Sequence, residues 1–259
     1  MNHNSVLEVR DVSVRFGGLT ALDAVSLTIE PCQVLGVIGP NGAGKTTLLN
    51  VLCGFIRPDD GQVLIDGHHY RDLRPHRLAA LGIARTLQGV GLFEQLTVIE
   101  NVMIGASNQA KAGFLSALLS LPRSARDERR LREEAGQALD RVGAADVADV
   151  RPGELSYGLR KRVALARALA AKPKVLLLDE PASGLAEEEM DELGNLIREL
   201  SADTSLIIVE HHMDLMMSVC DALVVLDFGK VISRGSPQEI QADPAVTAAY
   251  LGTTGATSE

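Results

Sequence analysis

One short stretch near the start of the chain limits which folds it can adopt. Residues 39–47 read Gly-Pro-Asn-Gly-Ala-Gly-Lys-Thr-Thr and fit the pattern G-x-x-x-x-G-K-[ST]. The apolar, β-branched residues 34–38 before them are typical of a buried strand, and a helical pattern begins at Lys45. A strand that turns sharply into a helix presents backbone N–H groups and the positive end of the helix dipole to an anion. The stretch therefore predicts a strand–loop–helix unit that binds a triphosphate.

Each residue type in this loop has its own task. The glycines let the backbone wrap closely around phosphate, because they carry no Cβ. Lys45 is expected to reach the β- and γ-phosphates, and the Thr46 hydroxyl is expected to bind Mg²⁺. The predicted nucleotide-binding residues of the loop are Gly39, Pro40, Asn41, Gly42, Ala43, Gly44, Lys45, Thr46 and Thr47.

Composition narrows the compartment and the partners. The 259 residues carry a net charge of −9 and no basic tract, which disfavours attraction to nucleic acid or to an anionic membrane face. The sparse, odd set of cysteines is typical of a reducing compartment. Residues 1–5 lack the features of a signal peptide, and no apolar run approaches the roughly 20 residues that span a bilayer. We expect a cytoplasmic protein that reaches a membrane only through a partner.

The hydrophobic periodicity changes along the chain and predicts an α/β core with an insertion. Alternating apolar residues over 7–16 and 25–29 indicate an N-terminal β part, with a bulge where the phase slips at Arg10-Asp11. Continuously apolar strands at 175–178 and 206–209 indicate a parallel sheet. Before these two strands, from a capping box at 97–100 onward, the pattern is helical. We expect an α/β core of residues 1–96 and 163–252, an inserted helical subdomain of residues 97–162, and a frayed tail of residues 253–259.

Two carboxylates follow the strand at 175–178. Asp179 is placed to hold Mg²⁺, directly or through water. Glu180 is placed to take a proton from an attacking water. An acidic strand end that only faces solvent is the alternative, and the phosphate loop upstream favours the catalytic interpretation.

Three single residues are weak signals by themselves. Gln88 follows a strand, and its amide could accept a hydrogen bond from water and touch Mg²⁺. His211 ends another strand and could donate to a γ-phosphate oxygen, while Phe16 could stack on a purine. A surface glutamine, a structural histidine and a core phenylalanine are the alternatives.

The segment Leu155-Ser156-Tyr157-Gly158 makes the set specific. It resembles the signature sequence of ABC ATPases and lies upstream of the strand that carries Asp179 and Glu180. The motifs of that family occur in its order along nearly the whole chain: Phe16 (A-loop), 39–47 (Walker A), Gln88 (Q-loop), 155–158 (signature), 179–180 (Walker B), 183–186 (D-loop) and His211 (switch histidine). The resemblance implies one ABC ATPase domain: an α/β, RecA-like P-loop NTPase core with an N-terminal antiparallel β part and an inserted α-helical subdomain.

The resemblance also implies a mechanism that uses ATP and Mg²⁺. Two ATPase subunits would close head to tail, with Ser156, Tyr157 and Gly158 of one at the γ-phosphate held by Lys45 of the other. A helix N-terminus at the signature supplies the physical reason, because it attracts anions. In this scheme the catalytic residues are Glu180, His211 and Gln88, and the Mg²⁺ ligands are Thr46, Gln88 and Asp179.

Within that family the chain is most similar to the ATPase of branched-chain (hydrophobic) amino-acid uptake transporters. The similarity lies in residues 15–19, 85–88, 92–93, 96–101, 155–158 and 249–252, and residues 110–127 fit the longer of two ATPases in such systems. Those systems combine two different ATPases, two transmembrane permeases and a substrate-binding protein outside the cytoplasm. The resemblance thus implies a position at the cytoplasmic face of the membrane, beside a paralogous ATPase or a second copy of this chain, and no nucleic-acid partner.

Three residues depart from the family pattern. Leu159 stands where glutamine is commonest, Ala186 where the D-loop usually has aspartate, and His212 where aspartate often follows the switch histidine. Ala186 matters most if that carboxylate couples two ATP sites. We also expect the permeases to dock near Phe93, Phe114 and Leu118, with packing inside the subdomain as the alternative.

Other classes of nucleotide-binding protein fit less well. DNA-repair relatives carry a long coiled coil between Walker A and signature, and this stretch has no sustained heptads. Translation-factor relatives usually carry two ATPase units in one chain. A GTPase or small-molecule kinase would leave the signature unexplained, and the chain has no Asn-Lys-x-Asp motif. A soluble ATPase acting on another macromolecule, or an importer or exporter ATPase with a different cargo, remains as the alternative.

Overall fold

The computed structural model describes residues 6–70, 73–86, 90–106 and 122–251. Gln88, Phe114 and Leu118, which carry sequence predictions, lie outside these ranges. The strands are β1 (Leu7–Phe16), β2 (Leu19–Ile29), β3 (Val34–Ile38), β4 (Asp60–Ile65), β5 (His68–Tyr70), β6 (Ile83–Arg85), β7 (Val175–Asp179), β8 (Ser205–Val209), β9 (Ala222–Asp227) and β10 (Lys230–Gly235). The helices are α1 (Lys45–Leu52), α2 (Val98–Ala106), α3 (Pro122–Arg141), α4 (Tyr157–Leu169), α5 (Glu187–Ser201), α6 (Met213–Val219), α7 (Pro237–Ala242) and α8 (Pro244–Leu251).

These elements form two compact units. The first unit is Met1–Leu81 with Leu177–Glu259, and the second is Gly82–Leu176. No described helix has both the length and the apolar character that crossing a membrane requires.

In the first unit, an antiparallel sheet has the strand order β2-β1-β4-β5. The register of β1 shifts between Val9 and Val12 against β2, which confirms the predicted bulge. At that point Asp11 adopts φ 50, and its N–H donates to Ser26 Oγ at 2.8 Å instead of to the ladder.

The same unit holds a second sheet in which β10, β9, β3, β8 and β7 lie side by side in that order. β3 runs parallel to both β8 and β9, and its pairing with β8 confirms the parallel sheet predicted from the apolar residues 206–209. Every residue of β3, β7 and β8 is buried, because both faces of a parallel sheet are covered. β9 and β10 form a hairpin through the turn at Phe228 and Gly229.

Two helices of the first unit illustrate how local sequence determines a helix start and a buried helix face. Helix α7 begins with a reciprocal capping box: Ser236 Oγ accepts from the N–H of Glu239 at 3.4 Å, and Glu239 Oε2 accepts from the N–H of Ser236 at 2.7 Å. The hydrogen bonds that the N–H and the hydroxyl of Ser236 donate to the Glu239 carboxylate hold the pKa of Glu239 below its usual value. Helix α5 buries Gly194, Leu196, Ile197 and Leu200 on one face.

The second unit is mostly helical among its described residues. Thr97 and Glu100 form the predicted capping box of α2, with Glu100 Oε2 accepting from the N–H of Thr97 at 2.7 Å. The fully buried Asn101 fixes the chain before α2: its Oδ1 accepts from the N–H of Phe93 at 2.8 Å, and its Nδ2 donates to the carbonyl of Thr97 at 2.9 Å. The backbone of Gly82, before β6, accepts from the N–H groups of Lys174 and Val175.

Candidate active site

The loop between β3 and α1 is shaped by glycines. A Cβ on Gly39, whose φ is 149, would lie 2.1 Å from the carbonyl oxygen of Leu226, so only glycine fits there. A Cβ on Gly44, whose φ is 104, would lie 2.6 Å from the carbonyl oxygen of Ala21. Gly42, with φ 81, has no atom within 4 Å of its Cβ position and is exposed. The loop is therefore held at both ends and open at its middle.

The side chain of Lys45 is hydrogen-bonded to the backbone of this loop. Its Nζ donates to the carbonyl oxygens of Gly39 at 2.6 Å and Pro40 at 2.9 Å. Burial lowers the pKa of Lys45, and the nearby carboxylate of Glu180 opposes that effect. The predicted phosphate-binding lysine and the predicted base are thus in electrostatic contact, as one nucleotide site requires.

Asp179 is the last residue of β7 and Glu180 follows it, and the two carboxylates differ in solvent exposure. Asp179 is 7% exposed, while Glu180 is half-buried. Glu180 adopts φ 48, a left-handed conformation that is unfavourable for this residue type. Its N–H donates to the carbonyl of Val209 at 2.8 Å, and its carbonyl accepts from the N–H of Ser183 at 3.2 Å. A strained backbone conformation persists only where the surrounding structure maintains it. Such conformations cluster at functional sites.

The neighbouring strand end carries His211. Its side chain is 56% exposed, and its Nδ1 lies 3.4 Å from Glu210 Oε2. Glu210 itself is completely buried, and its two carboxylate oxygens accept from the N–H groups of Ala182 and His211, each at 3.0 Å. Glu210 was not among the predicted site residues, although a carboxylate directly after the apolar residues 206–209 was a detectable signal.

Phe16 lies at the end of β1 and is 51% exposed. The alternative of a core phenylalanine is therefore wrong. Its assignment as a purine-stacking surface stays a prediction.

The predicted signature segment forms the start of α4 in the second unit. Ser156 is the N-cap, and its Oγ accepts from the N–H of Leu159 at 3.3 Å. Ser156 and Tyr157 are exposed, whereas Gly158 is buried. This confirms the predicted helix start and gives an exposed helix N-terminus that could attract an anion.

Two further residues are relevant to the site: Ala186, at the start of α5, and Tyr250, at the phosphate loop. Ala186 is the N-cap of α5, and its N–H donates to Glu189 Oε2 at 3.0 Å, but its methyl side chain accepts nothing in return. Tyr250 of α8 lies at the backbone of Gly39. Burial raises the pKa of Tyr250, and an interaction with the Gly39 backbone partly offsets that effect. In the sequence, Tyr250 served only as part of the family resemblance, and its contact with the loop was not predicted.

Comparison with known proteins decides the family. A family model described as "ABC transporter" matches residues 22–183, and another described as "Branched-chain amino acid ATP-binding cassette transporter" matches residues 230–256. The high-affinity branched-chain amino acid transport ATP-binding protein BraF of Pseudomonas aeruginosa is 39% identical over 249 residues, which cover 95% of this chain and 98% of BraF. This chain belongs to the ABC transporter ATP-binding family. LivG of Escherichia coli K12, a protein with the same description, shows the same identity and coverage.

Solved structures agree with this membership. An ATP-binding cassette of an ABC transporter in its ADP conformation superposes with a TM-score of 0.83 at 32% sequence identity, covering 96% of this chain and 99% of that cassette. The predicted RecA-like P-loop fold is therefore confirmed, and so is the predicted family. As an ABC ATPase, this chain is a nucleotide-binding enzyme that hydrolyses ATP.

Proposed function

We propose that this ABC ATPase powers the uptake of branched-chain or other hydrophobic amino acids through two transmembrane permeases. The observation that carries this proposal is the similarity to BraF and LivG over nearly the full length of all three chains. The match to the branched-chain family model at residues 230–256 supports it independently of the nucleotide-binding motifs. A different cargo is the alternative, since the ATPase does not touch what is transported.

The phosphate loop holds the nucleotide in this proposal. An ammonium group has three donors, and two of those of Lys45 reach Gly39 and Pro40, so the remaining N–H can meet a phosphate oxygen while the carbonyls hold the side chain in place. Gly42 keeps the middle of the loop open for close approach of phosphate. The exposed ring of Phe16 stacks on the base.

The ligands available for Mg²⁺ suit that ion. A hydroxyl on the first turn of α1, Thr46, and a carboxylate at a strand end, Asp179, offer the hard oxygen atoms that Mg²⁺ prefers, and Gln88 would add an amide oxygen. Bound Mg²⁺ neutralises charge on the β- and γ-phosphates. Around it, Glu180 accepts a proton from the attacking water, and His211 donates to a γ-phosphate oxygen.

A second ATPase subunit completes the site. The exposed N-terminus of α4, with Ser156, Tyr157 and Gly158 in the proposed helical subdomain of residues 97–162, binds the γ-phosphate held by Lys45 of the partner. The partner is a paralogue or a second copy of this chain. The assembly lies at the cytoplasmic face of the membrane and receives cargo from a substrate-binding protein on the other side. Phe93, which is half exposed, belongs to the proposed docking surface for the permeases.

Uptake by cells tests the cargo. Deleting the gene should abolish high-affinity uptake of labelled leucine, isoleucine and valine, and a plasmid copy of the wild-type chain should restore it. The Glu180→Gln variant should fail to restore uptake, while uptake of labelled lysine serves as the control. Unchanged uptake of all three branched-chain amino acids, with loss of another nutrient, would assign the ATPase to a different transporter.

A further inference from the structure

Among the described residues, three neighbouring side chains outside the proposed Mg²⁺ ligands could hold a metal ion. Glu210, His211 and His212 each offer a ligand atom, and these atoms all lie within 4.8 Å of one another. His212 Nδ1 lies 3.2 Å from Glu210 Oε1, and His211 Nδ1 lies 3.4 Å from Glu210 Oε2. The centroids of the two imidazole rings are 4.3 Å apart, and the rings are tilted by 35° to each other. Both rings therefore lie side by side, each with its Nδ1 near the same carboxylate.

These distances suit a small divalent transition-metal ion. In a tetrahedral site with bonds of about 2.0–2.1 Å, neighbouring ligand atoms lie about 3.3 Å apart. Each imidazole nitrogen lies close to that distance from one of the two Glu210 oxygens, His211 from Oε2 and His212 from Oε1. The exposed fractions of His211 and His212, 56% and 34%, leave both rings room to turn toward a shared ion. Two imidazoles and one carboxylate are a ligand set that binds Zn²⁺ in proteins and leaves a fourth position for water.

The carboxylate is oriented in advance. Each Glu210 oxygen accepts one backbone hydrogen bond, from Ala182 to Oε1 and from His211 to Oε2, both at 3.0 Å. One backbone donor on each oxygen leaves the other side of that oxygen to an imidazole. Fixing a ligand through its outer hydrogen bonds raises metal affinity, because less freedom is lost on binding.

We propose that Glu210, His211 and His212 form a binding site for a divalent transition metal, with Zn²⁺ as the best match. Each imidazole presents its Nδ1 lone pair to the metal and carries its proton on Nε2. His212 supplies the second imidazole of the set, at the position where aspartate often follows the switch histidine.

The site has a regulatory consequence that rests on the role proposed for His211. An imidazole whose Nδ1 binds metal and whose ring is held against Glu210 cannot turn toward a γ-phosphate. Zn²⁺ binding therefore stops hydrolysis without removing nucleotide, and the metal and the γ-phosphate compete for one side chain.

Direct binding tests the site apart from catalysis. Zn²⁺ alone is titrated into the nucleotide-free protein in competition with a chromophoric chelator, and Co²⁺ substitution reports the coordination geometry by visible absorption. All proteins carry Cys32→Ser, because this exposed thiol would itself bind zinc. His212→Asn should weaken Zn²⁺ binding at least about tenfold and remove the Co²⁺ bands. The matched control is His69→Asn, in the exposed pair His68-His69 of β5, whose side chains point to opposite faces of the strand.

The outcomes separate the site from the proposed function. Zn²⁺ affinity of His212→Asn equal to that of the parent, or an equal loss in His69→Asn, would overturn the site whatever the ATPase activity. If Zn²⁺ binds as proposed and yet does not slow hydrolysis, the regulatory consequence and the role of His211 are wrong, and the metal site stands. Thermal unfolding of each variant shows that a loss of binding does not reflect a loss of folding.

Discussion

Glu210 Oε1 accepts a hydrogen bond from the backbone N–H of Ala182 at 3.0 Å. Ala182 follows Glu180 by two residues, and Glu210 precedes the switch histidine by one. The other oxygen, Oε2, accepts from the N–H of His211 at 3.0 Å. One completely buried carboxylate therefore holds the segment after the proposed base against the segment that carries the proposed γ-phosphate sensor.

Replacing this carboxylate should destabilise the protein. In Glu210→Gln one acceptor oxygen becomes an NH₂ group facing a backbone N–H, which leaves a buried donor unsatisfied and costs about 1–3 kcal/mol of unfolding free energy. Urea unfolding of the nucleotide-free protein measures it. Glu188→Gln, at an exposed position of α5, is the control and should change stability by less than about 0.5 kcal/mol. Equal stability of Glu210→Gln and wild type would show that the two backbone contacts contribute nothing.

The glycines of the chain allow a matched test of the phosphate loop. Gly39→Ala places a methyl group 2.1 Å from the carbonyl oxygen of Leu226 and should cost at least about 2 kcal/mol through backbone displacement, with loss of nucleotide binding. Gly18→Ala, where no atom lies within 4 Å of the Cβ position, should leave both properties nearly unchanged. Thermal unfolding and binding of a fluorescent ATP analogue measure the difference. Normal nucleotide binding by Gly39→Ala would contradict the described loop.

The missing half of the cap at Ala186 offers a stabilising substitution. Ala186→Ser restores a side-chain acceptor for the N–H of Glu189, which reciprocates the existing bond to Glu189 Oε2. The expected gain is about 0.5–1 kcal/mol, and a chain of this size should then unfold about 1–4 °C higher. Differential scanning calorimetry measures it, with Ala186→Val as the control that adds volume and no acceptor. A melting temperature for Ala186→Ser at or below that of Ala186→Val would refute the capping argument.

The three cysteines should differ in reactivity toward thiol reagents, because they differ in burial. Cys32 is exposed, whereas Cys53 and Cys220 are buried, and burial raises the pKa of Cys220 from 9.0 to about 12, with help from Asp221. A thiol reagent at pH 8 should modify Cys32 in the native protein and reach Cys53 and Cys220 only after unfolding. Because the Cys220 pKa is raised in the folded state, its contribution to stability is complete below pH 9.0 and is lost as the pH rises toward about 12. Fast native modification of Cys220, identified by peptide mass, would contradict its burial.

Local pattern explains what the sequence predicted well. The strand–loop–helix unit around Lys45, the bulge at Asp11 and the helix start at Ser156 each follow from residues adjacent in the chain. The contacts that complete the site join residues distant in sequence, such as Ala182 with Glu210, and no periodicity encodes such a pair. The left-handed backbone of Glu180 was also beyond prediction, because glutamate has no local preference for it and the surrounding structure imposes it.

Nucleotide turnover by the Glu180→Gln variant tests the central claim most directly. Protein, with the partner ATPase if it is needed, is incubated with labelled ATP and Mg²⁺, and the bound and released nucleotides are separated. Wild type should release ADP, Lys45→Ala should bind about tenfold or more weakly because a charged phosphate contact is lost, and Glu180→Gln should retain uncleaved ATP because its amide cannot accept the proton of water. ADP release by Glu180→Gln at the wild-type rate would contradict the account.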